Sequence, residues 1–593
     1  MPSTIHAELT ASGDRVVMIA AGGIDDVAFA ARQLQQCTPA IKASEPRGAL
    51  TAPLSWPFMV QLAAVYDDRL QVGDRLRGWL RGQTATRGQP PSSAELLVPI
   101  PDGLTPRAYQ VEGARRIAAT GHALITDEPG TGKTITTILG LAQLEFERWA
   151  GNVPPILVIC PASVVDPWVE AFATWAPYWT AIAWRGTPAK RKALLGTADV
   201  YVTSYDTARM DAKDTNPGHS PLVALDPRAL VADECHLIKN PHAARTRAVR
   251  RLARNISAFV ALSGTPITHH PGDLWPTLDC LDKGAWPSRE RWVNRYCLTG
   301  DSDYAEDILG LNPGTEPEFR LTLLGQHRRV AKADVLTQLP PKVYSLRTVE
   351  LPSEYRKAYD AFEKTMLAEL PDGQELSVMD VLSQMTMLSK LACAAADVQV
   401  TLDEPDELGD QKRHTHIELK APSWKVDALL EVLAERPGQP VVCFAPSAQL
   451  IRLAGAAATD AGLRVGYVIG GQTAKDRTAT VAAFQAGELD LICATTGAGG
   501  VGITLTAAAT VVFLQRPWSL VESLQAEDRC HRIGSEVHDT VEVIDVVASN
   551  TIDTRVRNVL REKAGQLADL VQDPRIVAEL LGGASVTRLR KAS

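Results

Sequence analysis

Three short stretches of this chain carry residue types suited to phosphate chemistry. The first is Asp127-Glu128-Pro129-Gly130-Thr131-Gly132-Lys133-Thr134. Glycines there let the backbone curl until its N–H groups face phosphate oxygens, and a helix starting beyond them adds favourable field. In such a loop Gly130, Thr131 and Gly132 form the cradle, Lys133 meets the β- and γ-phosphates, and Thr134 ligates Mg²⁺. Asp127 occupies the position where the strict pattern has its first glycine. The second stretch is Leu230-Val231-Ala232-Asp233-Glu234, an apolar run that delivers two carboxylates at a strand's C-terminal end, where α/β sites lie. Asp233 suits Mg²⁺ through water, and Glu234 suits polarising an attacking water. The third, Gln525 to Gly534, presents Arg529 and Arg532 three residues apart, a spacing that predicts one shared helical face. Planar, permanently charged guanidinium groups suit a γ-phosphate gaining charge in its transition state. The three together describe an ATP site split between distant parts of the chain. Such a site opens and closes with each nucleotide, as in a motor.

The elements that must hold these residues are legible as runs of apolar sequence. Ala123–Ile125, Ile156–Ile159, Val200–Val202, Leu230–Ala232 and Phe259–Leu262 are each followed by turn or polar residues, the pattern of a parallel sheet covered on both faces. Between about 271 and 420, amphipathic stretches such as Ser353–Leu370 and Val378–Ala395 predict a mainly helical region. The acidic, histidine-dotted piece Asp403–His416 reads as an exposed loop. The strand rhythm returns at Val441–Phe444, Val465–Val468, Leu489–Ile492, Val511–Leu514 and Val541–Ile544, and a helix follows near Ile552–Leu570. The expected division is an N-terminal accessory domain over 1–98, a first α/β unit over 99–270, and helical insertions and a linker over 271–420. A second α/β unit over 421–570 and a tail over 571–593 complete it. Gly88–Ser93 reads as the linker after the first domain.

Taken in order, these motifs resemble the SNF2 family of superfamily 2 ATPases, over about residues 100 to 570. Arg107-Ala108-Tyr109-Gln110 is similar to the family's adenine-reading motif, which implies Gln110 on the base. The loop 127–134 resembles the family version, in which Asp-Glu replaces the usual opening. Asp233 to Asn240 is similar to its extended motif II, with Cys235 for the usual alanine. Ser263-Gly264-Thr265-Pro266 resembles motif III, Thr495–Ala507 motif V, and 525–534 motif VI. Arg328-Arg329 with Asp334 to Leu336 and Leu339 to Lys342 is similar to the segment joining the family's two lobes, and Asn550–Asp553 to a brace element. The resemblance implies an α/β fold of two RecA-like parallel-sheet lobes with helical insertions, plus a small N-terminal domain. It also ranks Arg532 above Arg529 and makes His531 a link between motifs. DNA contacts through Ser163, Ser204, Ser447 and Thr504 are implied likewise. Glu527, and a faint likeness between residues 51 and 80, suggest the annealing-helicase (HARP-like) branch, and the Ala/Arg-rich chain suggests a bacterial or bacteriophage source.

Composition fits this reading without prompting it. At 593 residues, 45% hydrophobic and 22% charged, the chain has the make-up of an ordinary soluble protein with room for several domains. Nine scattered cysteines with no Cys-x-x-Cys pair argue against structural zinc and point to a reducing, intracellular compartment, here cytoplasm or nucleoid. No apolar run suits a membrane span and no secretory signal is visible. The net charge of −8 means that a nucleic-acid surface must be a local gathering of Lys and Arg. Trp168 reads as core. His269-His270 and His414-x-His416 lack partners at metal spacing. Arg555, Arg557, Arg561, Lys563 and Arg588–Lys591 read as solvated charge. The expected function is an ATP- and Mg²⁺-dependent double-stranded DNA translocase, acting as a monomer on duplex or branched DNA. A strand-separating helicase of repair or recombination and a non-enzymatic DNA-binding scaffold are the alternatives.

Overall fold

The computed structural model describes residues 4–20, 42–44, 49–88, 96–149, 155–264, 270–282, 286–300, 308–368, 378–402, 413–499 and 503–571. Most of the predicted linker after Gly88, Thr265 and Pro266 of motif III, His269, Gly500 and Gly502 of motif V, and the basic tail lie outside them. The chain divides into two units, Met1–Val335 and Leu336–Ser593.

The first unit opens with a small sheet. Strands β1 (Ile5–Leu9), β2 (Arg15–Ala20), β3 (Lys42–Ser44), β4 (Ala49–Pro53) and β5 (Leu70–Val72) pair in the order β3-β4-β2-β1-β5. Alternation places Ile5, Ala7, Val16 and Met18 on one face, where they bury against Phe58, Leu62 and Leu76. Those residues come from the helices Trp56–Tyr66 and Asp74–Gly88.

The main sheet of this unit follows. Its strands are β6 (His122–Ile125), β7 (Ile156–Cys160), β8 (Ala181–Ala183), β9 (Val200–Ser204), β10 (Ala229–Asp233) and β11 (Ala258–Leu262). A two-stranded antiparallel pair, β12 (Cys297–Thr299) and β13 (Ile308–Leu311), lies in the following insertion. A short strand, β14 (His327–Arg328), then returns to the main sheet, whose order is β14-β6-β11-β10-β7-β9-β8, parallel throughout. Both faces are covered, so neighbouring residues of one strand enter different cores. Leu230 and Ala232 pack on one side of β10, Ala229 and Val231 on the other.

The second unit has strands β15 (Lys342–Val349), β16 (Ala395–Leu402), β17 (Arg413–Lys420), β18 (Val441–Ala445), β19 (Val465–Val468), β20 (Leu491–Thr495), β21 (Thr510–Phe513) and β22 (Val541–Ala548). Its main sheet runs β15-β22-β21-β18-β20-β19, again all parallel. The architecture is thus two parallel-sheet α/β lobes and a small N-terminal sheet domain, as the motifs led one to expect.

Several local expectations are corrected. The region 271–420 is less helical than predicted, since β12 to β17 fall inside it. Residues 413–416 are strand, not loop: β16 and β17 form an antiparallel hairpin from Ala395↔Lys420 to Leu402↔Arg413. Its alternation is plain at Ile417 and Leu419, which are buried, while Glu418 and Lys420 are exposed; the acidic, histidine-dotted sequence hid it, and residues 403–412 of the expected loop lie outside the described residues. The helix predicted to reach Ala395 ends at Leu391, and the strand expected at Leu489 starts at Leu491. No helix among the described residues is long and apolar enough to cross a membrane.

Candidate functional site

The phosphate loop leaves β6 and enters the helix Lys133–Leu144. Two turns with positive φ, Gly130 at 85° and Gly132 at 84°, make the curl, and only glycine adopts this backbone freely. A side chain at Gly132 would also strike Gln110, whose Nε2 would lie 2.4 Å from its Cβ. Gln110 is buried, with Nε2 donating to Thr131 O at 3.2 Å and Oε1 accepting from Arg107 N at 2.9 Å. Tyr109 donates to the same Thr131 carbonyl at 2.8 Å. The predicted base-reading residue therefore also braces the loop. Lys133 Nζ donates to Asp127 O at 2.7 Å and Glu128 O at 3.3 Å. Thr134 follows at the helix N-terminus, half-buried.

Asp127, in the missing-glycine position, is almost fully buried. Burial raises its pKa, opposed by Arg328, whose Nη1 lies 3.7 Å from Oδ2. Arg328 comes from β14 and also donates to Tyr109 O at 2.6 Å. Gly113 makes room for it, because a Cβ there would sit 1.7 Å from Arg328 Nη1. Next in sequence, Arg329 donates to Thr126 O at 3.1 Å and Gly264 O at 3.4 Å, and lies 3.6 Å from Glu128 Oε1.

Asp233 closes β10. Trp168 Nε1 donates to its Oδ2 at 2.8 Å, the Glu234 N–H donates to Oδ1 at 3.0 Å, and Tyr205 OH donates to its carbonyl at 2.7 Å. Burial raises the pKa of Asp233, and the adjacent Glu234 charge raises it further, against the pull of Trp168 and Lys133. Glu234 turns the chain at φ 53° and lies 3.3 Å from His236 Nδ1. That nitrogen is also 3.1 Å from Ser263 Oγ, at the end of β11. Gly264 then abuts the phosphate loop: a Cβ there would meet Pro129 at 2.7 Å. Lys133, Asp233, Glu234 and Ser263 are thus gathered at the C-terminal ends of β6, β10 and β11. Among the described residues no group of three or more His, Cys, Asp or Glu would hold a metal alone. Mg²⁺ is ordinarily held by one or two carboxylates plus substrate phosphates, and Asp233 places one carboxylate at the end of β10.

In the second unit Arg529 and Arg532 do not share a helical face. The helix Leu520–Glu527 stops before them, and successive turns follow, with Arg529 N donating to Ala526 O and Cys530 N to Glu527 O. Leu505 N donates to Arg529 O, so the carbonyl that a continuing helix would bond four residues on is bound by the neighbouring loop instead, while Cys530 is fully buried. Arg532 Nη1 lies 3.5 Å from Ile503 O. His531 Nε2 sits 2.9 Å from Pro340 O, tying this segment to the chain just before β15. Glu527 is fully buried: Oε1 accepts from Arg516 at 2.6 Å, and Oε2 from Tyr344 at 2.9 Å and Lys342 at 3.3 Å. Burial alone would raise its pKa, but Arg516 and Lys342 hold it below the ordinary value.

The residues expected to meet DNA are dispersed. Ser163 is exposed on a short turn after β7. Ser204 and Ser447 are helix N-caps, accepting from Thr207 N and Leu450 N, and Thr504 lies half-buried beside Ile503. Trp168 is buried, as expected of a core residue; its contact with Asp233, like that of Tyr205, has no local signal in the sequence.

Residues 91–396 match the SNF2-related domain, and residues 424–534 the helicase conserved C-terminal domain. The chain is 27% identical over 536 residues to the TATA-binding protein-associated factor mot1 of Aspergillus fumigatus, covering 79% of this chain and 27% of that protein. It is 26% identical over 486 residues to a probable chromatin-remodeling complex ATPase chain of Oryza sativa, covering 80% and 41%. An uncharacterized ATP-dependent helicase of Mycoplasma pneumoniae is 26% identical over 467 residues, covering 77% and 41%. The chain thus spans between about a quarter and two fifths of the length of these relatives. Among solved structures, the Sulfolobus solfataricus SWI2/SNF2 ATPase core in complex with dsDNA is 23% identical, covering 84% of this chain and 99% of that one, with a TM-score of 0.38.

Proposed function

This chain belongs to the family of SNF2-related ATPases, and from that membership we propose that it is an ATP-driven translocase on double-stranded DNA. The observation that carries the reading is the cluster at the ends of β6, β10 and β11, where the Lys133 charge acts on Asp233 and His236 links Glu234 to Ser263.

In this reading the phosphates of ATP lie on Gly130 to Thr134, and Lys133 exchanges the carbonyls of Asp127 and Glu128 for the β- and γ-phosphates. Thr134 and Asp233 are the residues to hold Mg²⁺, which when bound neutralises charge on the phosphates. Glu234 polarises the attacking water. His236, between Glu234 and Ser263, relays the state of the carboxylates to the strand end that precedes Gly264. Arg532, assisted by Arg529, meets the charge that develops on the γ-phosphate. Ser163, Ser204, Ser447 and Thr504 touch the DNA backbone, which positions the duplex without reading its sequence; Ser163 is the most exposed of them.

The names of two relatives, a TATA-binding protein-associated factor and a chromatin-remodeling complex ATPase chain, support ranking displacement of bound protein above fork remodelling. The resemblance to the fork-remodelling branch rests on Glu527 and a faint likeness between residues 51 and 80. The buried carboxylate of Glu527 is engaged by three partners, Arg516, Tyr344 and Lys342, so packing within the second unit accounts for that residue. The deciding experiment measures ATP turnover with no DNA and with single-stranded, duplex and forked DNA. Strong stimulation by duplex or forked DNA is expected; equal turnover in all four overturns the reading. Robust release of a labelled strand from a tailed duplex would put strand separation first.

A further inference from the structure

We infer that Arg329 is a positioning residue for the nucleotide, acting through the phosphate loop and not by touching ATP. The inference rests on the ATP-hydrolysing reading of that loop.

Arg329 meets three acceptors that belong to different parts of the site. Thr126 O ends the strand that enters the loop, Glu128 lies inside it, and Gly264 O follows β11. A planar guanidinium with five donors can bridge several acceptors at fixed angles, whereas a lysine ammonium acts as a point charge. The stretch it holds, Thr126 to Glu128, contains both carbonyls that receive Lys133. The position of the Lys133 ammonium is therefore set by a backbone that Arg329 fixes. The neighbouring backbone reinforces the arrangement: Thr126 N donates to Arg328 O at 2.7 Å, Glu128 N to Val330 O at 3.0 Å, and Lys332 N to Glu128 Oε2 at 2.8 Å. On the far side, Gly264 lies against Pro129 so closely that no side chain fits between them. Arg329 thus joins the loop to the segment after β11, and the loop cannot shift without disturbing that contact.

Arg329→Gln removes the charge and the fork while leaving a polar side chain. Nucleotide affinity is read with a fluorescent ATP analogue, and turnover as a function of ATP concentration. The variant is expected to bind the analogue about tenfold more weakly and to raise KM for ATP by a similar factor, as for a lost charge-assisted hydrogen bond. Because the effect passes through Lys133, adding Arg329→Gln to Lys133→Ala should weaken binding little beyond Lys133→Ala alone. Arg329→Lys restores charge but not the bridge and should stay impaired.

Wild-type affinity in Arg329→Gln, full rescue by Arg329→Lys, or effects that multiply in the double variant overturns the inference. If the glutamine variant does not fold, Arg329→Lys alone and with Lys133→Ala carries the same comparison. A wild-type chain that neither binds nor hydrolyses ATP removes the site reading itself. An active wild type with an unchanged Arg329 variant removes only this assignment.

Discussion

The indole N–H of Trp168 donates to Asp233 Oδ2 at 2.8 Å, so a ring buried in the core reaches the carboxylate expected to serve Mg²⁺. Trp168→Phe keeps an aromatic ring in the core and removes the donor. With one fewer hydrogen bond to the charged form, the Asp233 pKa rises further. The acid limb of the pH–rate profile for ATP hydrolysis is therefore expected to move to higher pH. An unmoved limb would show that the contact is packing alone.

Glu234→Gln tests the repulsion between neighbouring carboxylates. Asp233 has a raised pKa in the folded chain, so the stability it lends is complete below the ordinary aspartate value and is lost as pH rises through the raised one. At neutral pH the burial of the Asp233 charge and, after it, the repulsion from Glu234 therefore cost stability. The variant should melt above wild type at pH 7.5, and the advantage should shrink toward pH 5. Hydrolysis should fall by about 100-fold or more, the usual effect of losing a general base. A variant with lower stability at both pH values would contradict the assignment.

Lys133→Ala and Arg532→Ala separate ground-state from transition-state roles. Both should abolish measurable turnover while DNA binding in a filter or polarisation assay stays largely intact. For Arg532→Ala the loss is expected at about 1,000-fold, with nucleotide binding retained, and Arg529→Ala should lose less. Near-normal turnover in Arg532→Ala would refute its role.

Glu527→Ala leaves Lys342 and Arg516 without their shared carboxylate in a buried setting. A broken buried ion pair costs about 3–5 kcal/mol, here reduced by Asp528 and Asp545, which remain beside the two cations. Chemical denaturation should register the loss in the second unit. The relative stimulation by duplex and forked DNA should be unchanged. A switched DNA preference in a stably folded variant would restore this residue as a determinant of substrate.

What the sequence disclosed and what it concealed follow from the range of the interactions. Several strands of the two main sheets are short continuous apolar runs, so β6, β7, β9, β10, β11 and β18 could be placed from the sequence pattern alone. The phosphate loop was legible because its glycines and lysine act within eight residues of one another. The hairpin β16–β17 was not, since the polar Arg413-His414-Thr415-His416 that opens β17 and the acidic sequence before it masked the alternation. Nor was β14, two residues long with sequence His-Arg and no apolar signature at all. The Trp168–Asp233 bond spans 65 residues, and no local pattern encodes it. The turns that carry Arg529 and Arg532 resemble a helix in spacing, yet the Arg529 carbonyl bonds Leu505 N, far away in the sequence.

The placement of β14 bears on the order in which the first unit can be completed during synthesis. β6 carries the phosphate loop but receives its outer neighbour only from His327 and Arg328, about two hundred residues later. Until the ribosome has passed that point, the outer edge of β6 has no strand of its own chain to pair with. An open strand edge is a template for foreign pairing, and nascent domains are most exposed to it while incomplete. A pause or truncation shortly before residue 327 would thus release a chain holding every catalytic residue of the first unit with the edge beside its phosphate loop unguarded.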